Sequence, residues 1–150
     1  MPKPKRILAV ASSGGHWVQL LRLRPAFDGC DVAFLTTDPG HRAEVASARF
    51  YTVKDANRWN KVALAQSALK VLWILLRERP DIVISTGAAP GYFALRFGKL
   101  LGARVAWIDS IANVEELSMS GRMAGAFADL CLTQWPHLAA GRVRHEGAVL

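Results

Sequence analysis

The sequence predicts an α/β fold, a single doubly wound, Rossmann-like parallel sheet with helices on both faces. Three observations predict it. Short apolar runs ("ILAVA" at 7–11, "DVAFLT" at 31–36, "DIVIST" at 81–86, "RVAWI" at 104–108) lack polar alternation, as strands buried on both faces do. Stretches with helical spacing separate them, the pattern of a parallel sheet. Each run also ends in small or polar residues: "SSGGH", "TTDPG", "STGAAPG" and "IDSIAN". Ligand crevices of such sheets lie off the carboxyl ends of the strands.

In chain order, Ile7–Ala11 is the first strand and Ser12–Gly15 a turn. His16 to about Phe27 carries Val18, Leu20, Leu21 and Leu23 between arginines and reads as a helix. Asp31–Thr36 is the second strand, closed by the "TDPGH" turn. A short helix around Arg42–Ala48 and a strand at Phe50–Val53 follow. Residues 60–78 form the longest helix, with Pro80 setting its end. The strand at 81–86 leads to a helix at Tyr92–Leu101, ended by Gly102. Arg104–Ile108 is a strand, 114–127 is helical, Leu130–Thr133 is a strand, and "QWPHL" opens a last turn. No repeat, linker or low-complexity run interrupts the 150 residues, which suffice for one domain with a sizeable core.

Bulk composition narrows the function classes. Hydrophobic residues make up 51% of the chain, which excludes a disordered segment. The formal charge of +7 points to an anionic partner such as a phosphate-bearing substrate, an acidic membrane face or nucleic acid. The basic residues are scattered and no aromatic RNA-binding motif is present, so nucleic acid is the least favoured. Cys30 and Cys131 stand far apart and read as free thiols. The basic amino-terminal segment leads into a strand and does not read as a signal peptide.

"SSGGHW" places two glycines and a histidine where a strand turns into a helix. Gly14 and Gly15 let the backbone approach a ligand and present unpaired helix N–H groups to anions. Neither a Walker loop nor GxGxxG is present, so nothing asks for a nucleoside triphosphate or NAD. A neutral His16 imidazole can take a proton or bind a substrate hydroxyl; a plain turn capped by His16 is the alternative. The helix at 60–78 is too short and polar to span a bilayer, which needs about 20 apolar residues. Arg58, Lys61, Arg77 and Arg79 bracket it, with Trp59 and Trp73 nearby, as in a helix lying in a membrane interface. An ordinary core helix is the alternative.

Several of these pieces, in order and spacing, are similar to one family. They are Ser13-Gly14-Gly15-His16, Ser85-Thr86-Gly87, Ile108-Asp109-Ser110, Ser118 with Gly121, Ala128-Asp129, and Gln134-Trp135-Pro136. Together they resemble the asparagine-linked glycosylation fourteen family and its PssD-type bacterial relatives. The resemblance implies the N-terminal half of a glycosyltransferase of the B fold, like that of MurG-type peptidoglycan enzymes. A separate donor-binding subunit would supply the C-terminal half. It further implies inverting transfer of a sugar from a UDP-sugar to a polyprenyl-pyrophosphate-linked sugar in exopolysaccharide or capsule synthesis, with no metal or other cofactor. His16 is the first candidate base and Asp109 the second, with a cap on the following turn as the alternative for Asp109. Ser13, Gly14, Gly15, Ser85, Thr86, Gly87, Ser110 and Asn113 are the expected substrate-binding residues. Trp59, Trp73, Arg77 and Trp135 are expected to meet the partner or the membrane, with Trp135 alternatively closing the core. The sequence departs from the family pattern in three places: Asp109 stands where glutamate is common, Asn113 where arginine is common, and Gln19 where an acid commonly follows the glycine–histidine motif. Many relatives begin with a transmembrane helix; here a peripheral attachment to the cytoplasmic face of the inner membrane is expected. Two alternatives stay open: a stand-alone sugar-nucleotide enzyme, and a non-catalytic scaffold that recruits its partner.

Overall fold

The computed structural model describes residues 2–149. Its elements run β1 (Arg6–Ala11), α1 (Gly15–Arg22), β2 (Asp31–Thr36), β3 (Arg49–Thr52), α2 (Lys61–Glu78), β4 (Ile82–Gly87), α3 (Ala89–Leu100), β5 (Arg104–Ile108), α4 (Met119–Gly125), β6 (Leu130–Thr133) and β7 (Val143–His145). One sheet takes all seven strands in the order β3-β2-β1-β4-β5-β6-β7. Every strand pair is parallel.

Strand periodicity sorts the core into two layers. Leu8 and Val10 of β1 face α2 and α3, against Val71, Ile74, Leu75, Ala94 and Leu95. Ile7, Ala9 and Ala11 face the opposite side, where Trp17 and Leu20 of α1 pack with Phe27 and Phe34. Both sides of β1 are therefore dry, which is why its sequence shows no polar alternation.

The structure corrects several boundaries. The first helix stops at Arg22, and Pro25 forces a tighter 3-10 turn over Arg24–Phe27. The segment expected as a helix near 42–48 is another 3-10 turn, Pro39–Val45, capped by the Asp38 carboxylate. α3 begins earlier than expected, at Ala89, because Pro90 suits a first helical turn. The helix expected over 114–127 shrinks to Met119–Gly125. Ser118 caps it by accepting from the Gly121 N–H, and the preceding residues form a loop. β7 was not anticipated: three residues beside Gly141 are too few for a periodic signal.

The order reverses between β1 and β4, the strands that lead into "SSGGH" and "STG". This switch point is where the loops of a doubly wound sheet part to form a crevice. At its upper edge Ser12 N–H donates to the Gly87 carbonyl at 2.8 Å.

On the far side of the sheet Asp129 ties α3 to β5. Its carboxylate accepts from Lys99 Nζ at 2.6 Å and from the Val105 N–H at 2.8 Å. The lysine first, then the backbone N–H, holds the carboxyl below its ordinary value. A depressed carboxyl contributes stability above its unfolded pKa of about 4, and that contribution is lost as pH falls through the lower folded value. Asp129→Asn should therefore cost about 1 kcal/mol at neutral pH, the ion pair being partly screened. Urea unfolding of the two proteins should converge as the pH falls below 4.

Candidate functional site

Two motifs seventy residues apart close into one joint at the switch point. His16 sits in the first turn of α1, and its Nδ1 lies 2.9 Å from the Thr86 carbonyl. In return the Thr86 hydroxyl donates to the His16 carbonyl at 2.6 Å. A carbonyl oxygen can only accept, so Nδ1 carries the proton. In the neutral ring Nε2 then keeps a free lone pair, and it makes no hydrogen bond among the described residues.

Gly87 makes room for this ring. A Cβ there would stand 2.5 Å from His16 Nδ1, and its φ of 127° is one that side chains rarely tolerate. Gly14 caps α1 with φ 78°, and among the described residues no side chain satisfies the first helical N–H groups. Open space surrounds Gly14 and Gly15, with no heavy atom within 4 Å of where a Cβ would be built. Ser13 is held from the β2 side: its N–H donates to Thr37 Oγ1 at 3.0 Å, and Thr37 donates on to Ser13 Oγ. The result is an exposed, donor-rich rim beside an imidazole with one free nitrogen.

Ser85 and Thr86, expected to line the crevice, are instead buried beneath it. Ser85 Oγ accepts from the Gly87 N–H at 3.0 Å and lies under Gly91 of α3, where even a methyl group would collide with it. These two residues hold the joint from below.

A second joint stands at the ends of β5 and β6. Asp109 is 2% exposed. Its Oδ1 accepts from Trp107 Nε1 at 3.0 Å and Ser118 Oγ at 2.6 Å. Its Oδ2 accepts from the Ser118 N–H at 3.0 Å and Asn113 Nδ2 at 3.1 Å. A carboxylate offers about four acceptor sites, so none remains open. Asn113 is accordingly engaged with Asp109, and Ser110 Oγ accepts from Gln19 Nε2 and from the Ala112 N–H.

The residue that links the joints is Gln19, one turn beyond His16 on α1. It is buried, donates to Ser110, and accepts from the Ile111 N–H and from Gln134 Nε2. Gln134 donates as well to the Asp109 carbonyl and accepts from the Val149 N–H. A glutamine both donates and accepts, so it can bridge a backbone N–H and a hydroxyl at once. In the sequence Gln19 shows only as a departure from the family pattern. A polar residue on the buried face of an amphipathic helix was the signal for it. Trp135 is half-buried, and its Nε1 donates to the Ile111 carbonyl at 2.7 Å, which stitches the "QWP" turn to the Asp109 loop. Cys131 lies beneath this joint. Burial first, then the Asp109 charge, pushes its thiol up to about 11, so it stays protonated at neutral pH.

Trp59, Trp73 and Arg77 lie elsewhere, on or beside the outer face of α2. Trp59 is 80% exposed and Trp73 52%, and Val62, Leu69 and Leu76 continue their stripe. Arg58 stacks on Trp59 and Arg77 on Trp73, at 4.7 and 5.6 Å from the ring centroids. No helix among the described residues is long and apolar enough to cross a membrane.

Residues 41–149 match the family model described as oligosaccharide biosynthesis protein Alg14 like. The UDP-N-acetylglucosamine transferase subunit ALG14 of Eremothecium gossypii is 29% identical, over 98% of this chain and 81% of that one. The human subunit of the same name is also 29% identical, over 88% of this chain and 76% of its own length. Among solved structures, Acinetobacter baumannii MurG superposes with a TM-score of 0.79 at 17% identity, covering 98% of this chain and 46% of that one. The UDP-N-acetylglucosamine 2-epimerase of Rickettsia bellii follows with a TM-score of 0.71 at 13% identity, over 97% and 45%.

If the Asp109 loop rests on a charged acceptor, Asp109→Asn should destabilise the chain by about 2–3 kcal/mol, because an amide group then faces donors. Urea unfolding at pH 7 measures this; an unchanged midpoint would show that the loop holds without the charge.

Proposed function

The chain belongs to the Alg14-like oligosaccharide biosynthesis family, and from that premise we propose that it is one subunit of a two-subunit, membrane-associated inverting glycosyltransferase. It would serve as the N-terminal, acceptor-side half of a B-fold enzyme, with a separate donor-binding subunit completing the cleft. The curated relatives are named as UDP-N-acetylglucosamine transferase subunits, which favours UDP-N-acetylglucosamine as the donor. The proposed acceptor is a sugar on a polyprenyl-pyrophosphate carrier, and the proposed setting is exopolysaccharide or capsule synthesis.

The observation that carries this reading is the His16–Thr86 pairing beside an open glycine rim. With Nδ1–H held by the Thr86 carbonyl, Nε2 is the nitrogen left to work as a base. It takes the proton of the acceptor hydroxyl as that oxygen bonds to the anomeric carbon. The bond from that carbon to the β-phosphate oxygen breaks, and UDP leaves with the electron pair. The uncapped N–H groups after Gly14 would offset the anionic charge gathered there. Asp109 has its acceptor sites filled by the neighbouring loop, which favours His16 as the base.

The outer face of α2 is the proposed membrane contact, peripheral and on the cytoplasmic side. Exposed tryptophans with stacked arginines suit the headgroup layer, where an apolar ring and a cation both find partners. The nearby acid Glu78 is engaged inward by Arg49 and Tyr51, which leaves the basic face uncompensated.

His16→Asn tests the base. The asparagine amide can still donate to the Thr86 carbonyl but cannot accept a proton. With the partner subunit present, turnover should fall by about 10²–10⁴-fold while subunit assembly is unchanged. Near-normal turnover would leave the chain as a recruiting scaffold. Binding to vesicles containing anionic lipid should weaken several-fold between 0.05 and about 0.5 M salt as the Debye length shrinks; salt-independent binding would remove the electrostatic part.

A further inference from the structure

A sizeable groove lies away from the strand tips. An open groove of about 680 Å³ lies at the opposite end of the sheet, between the carboxyl ends of α2 and α3 and the first residues of β1, β4 and β5. Lys5, Arg79 and Arg104 line it, with Leu76, Leu101 and Asp81. None of the three cations joins an ion pair among the described residues. Asp81 is turned to the backbone and accepts from the Arg6 N–H at 2.9 Å.

Arg79 stands at the left-handed cap of α2, with φ 46° and ψ 58°. Glycine is the low-cost residue at such a cap, so helix termination alone does not call for an arginine. The two helix ends each present about half a negative charge, and Asp81 adds one; three cations outweigh them. Leu76 and Leu101 are both about half exposed, and Leu76 is also the last member of the apolar stripe on α2. The groove is thus cationic, lipped with leucine, and continuous with the face proposed to meet the membrane.

We propose that this groove seats one anionic phospholipid, its phosphate between Arg79, Arg104 and Lys5 and its acyl chains passing over Leu76 and Leu101. The site rests on the membrane contact proposed for α2 but is distinct from it. The α2 face, with its exposed rings and stacked arginines, suits an anionic surface in general, whereas the groove adds a defined seat for one phosphate.

The test compares binding to vesicles of phosphatidylcholine alone and of phosphatidylcholine with phosphatidylglycerol. Arg79→Gly keeps the left-handed cap and guards against misfolding. Combined with Arg104→Ala it should lower binding to the anionic vesicles about 25-fold, at roughly fivefold per cation near an anionic surface. Binding to neutral vesicles should not move. The control pair Arg22→Ala and Arg144→Ala, away from the groove, should cost less than about threefold. Amide NMR with a short-chain phosphatidylglycerol should shift Arg79, Asp81, Ile82 and residues 98–104, and inorganic phosphate at equal concentration should not. Equal losses in the two double variants would overturn the groove, as would equal shifts with phosphate. Trp73→Ala separates the readings. It should weaken both kinds of vesicle, and if it weakens neither, the α2 contact fails independently of the groove.

Discussion

His16 and Thr86 hold each other twice, side chain to backbone in each direction, across the point where the sheet reverses its order. Everything at the strand tips is built on that exchange. It fixes how α1 leaves the sheet, which ring nitrogen carries the proton, and where the glycine rim stands. Gly87 is part of the same contact, since no side chain could share the space the imidazole occupies. The reciprocal bonds are short and sit over a buried floor, so the ring is held before any ligand arrives. That economy of reorganisation suits the base role proposed for it.

The second joint shows how completely a buried polar cluster can be satisfied from within. A lone carboxylate at a strand end reads as a proton acceptor until its neighbours are counted. Around Asp109 the neighbours are an indole, a hydroxyl, an amide and a backbone N–H, all donors. Asp109 then does for the β5–α4 loop what Ser85 does for the β4–α3 turn. Gln19 joins the two loops through the interior, so the imidazole and the carboxylate are mechanically related although their chemistry differs. The family pattern's usual acid near position 19 would serve differently here, since the Ile111 N–H needs an acceptor but Ser110 needs a donor.

Much of the fold could be read from the residues alone, because strands buried on both faces leave unbroken apolar runs. "RVAWI" and "LCLT" mark β5 and β6 to the residue. Failures came where local chemistry overrides periodicity: Pro25 and Pro39 convert expected helices into tight turns, and β7 is too brief to leave a pattern. The site was legible in its members but not in their division of labour. "SGGH" and "STG" both stood out, yet nothing along the chain shows that one supplies the ring and the other its seat. Which serine faces out and which lies beneath a glycine depends on packing across elements, as Ser85 under Gly91 illustrates. Gln19 was visible only as an oddity, because a buried amide announces itself through its partners.

The length of α2 has a geometric consequence. Eighteen residues span about 27 Å, and the helix runs antiparallel to the strands from the tip end of the sheet to its base. With its outer stripe flat against a bilayer, the strands lie parallel to the lipid surface. The crevice then opens sideways along the bilayer, with α1 and His16 on the layer that α2 and the sheet hold away from the lipid. The proposed lipid-linked acceptor would therefore have to extend its sugar past at least one helix diameter, about 10 Å, to meet the imidazole.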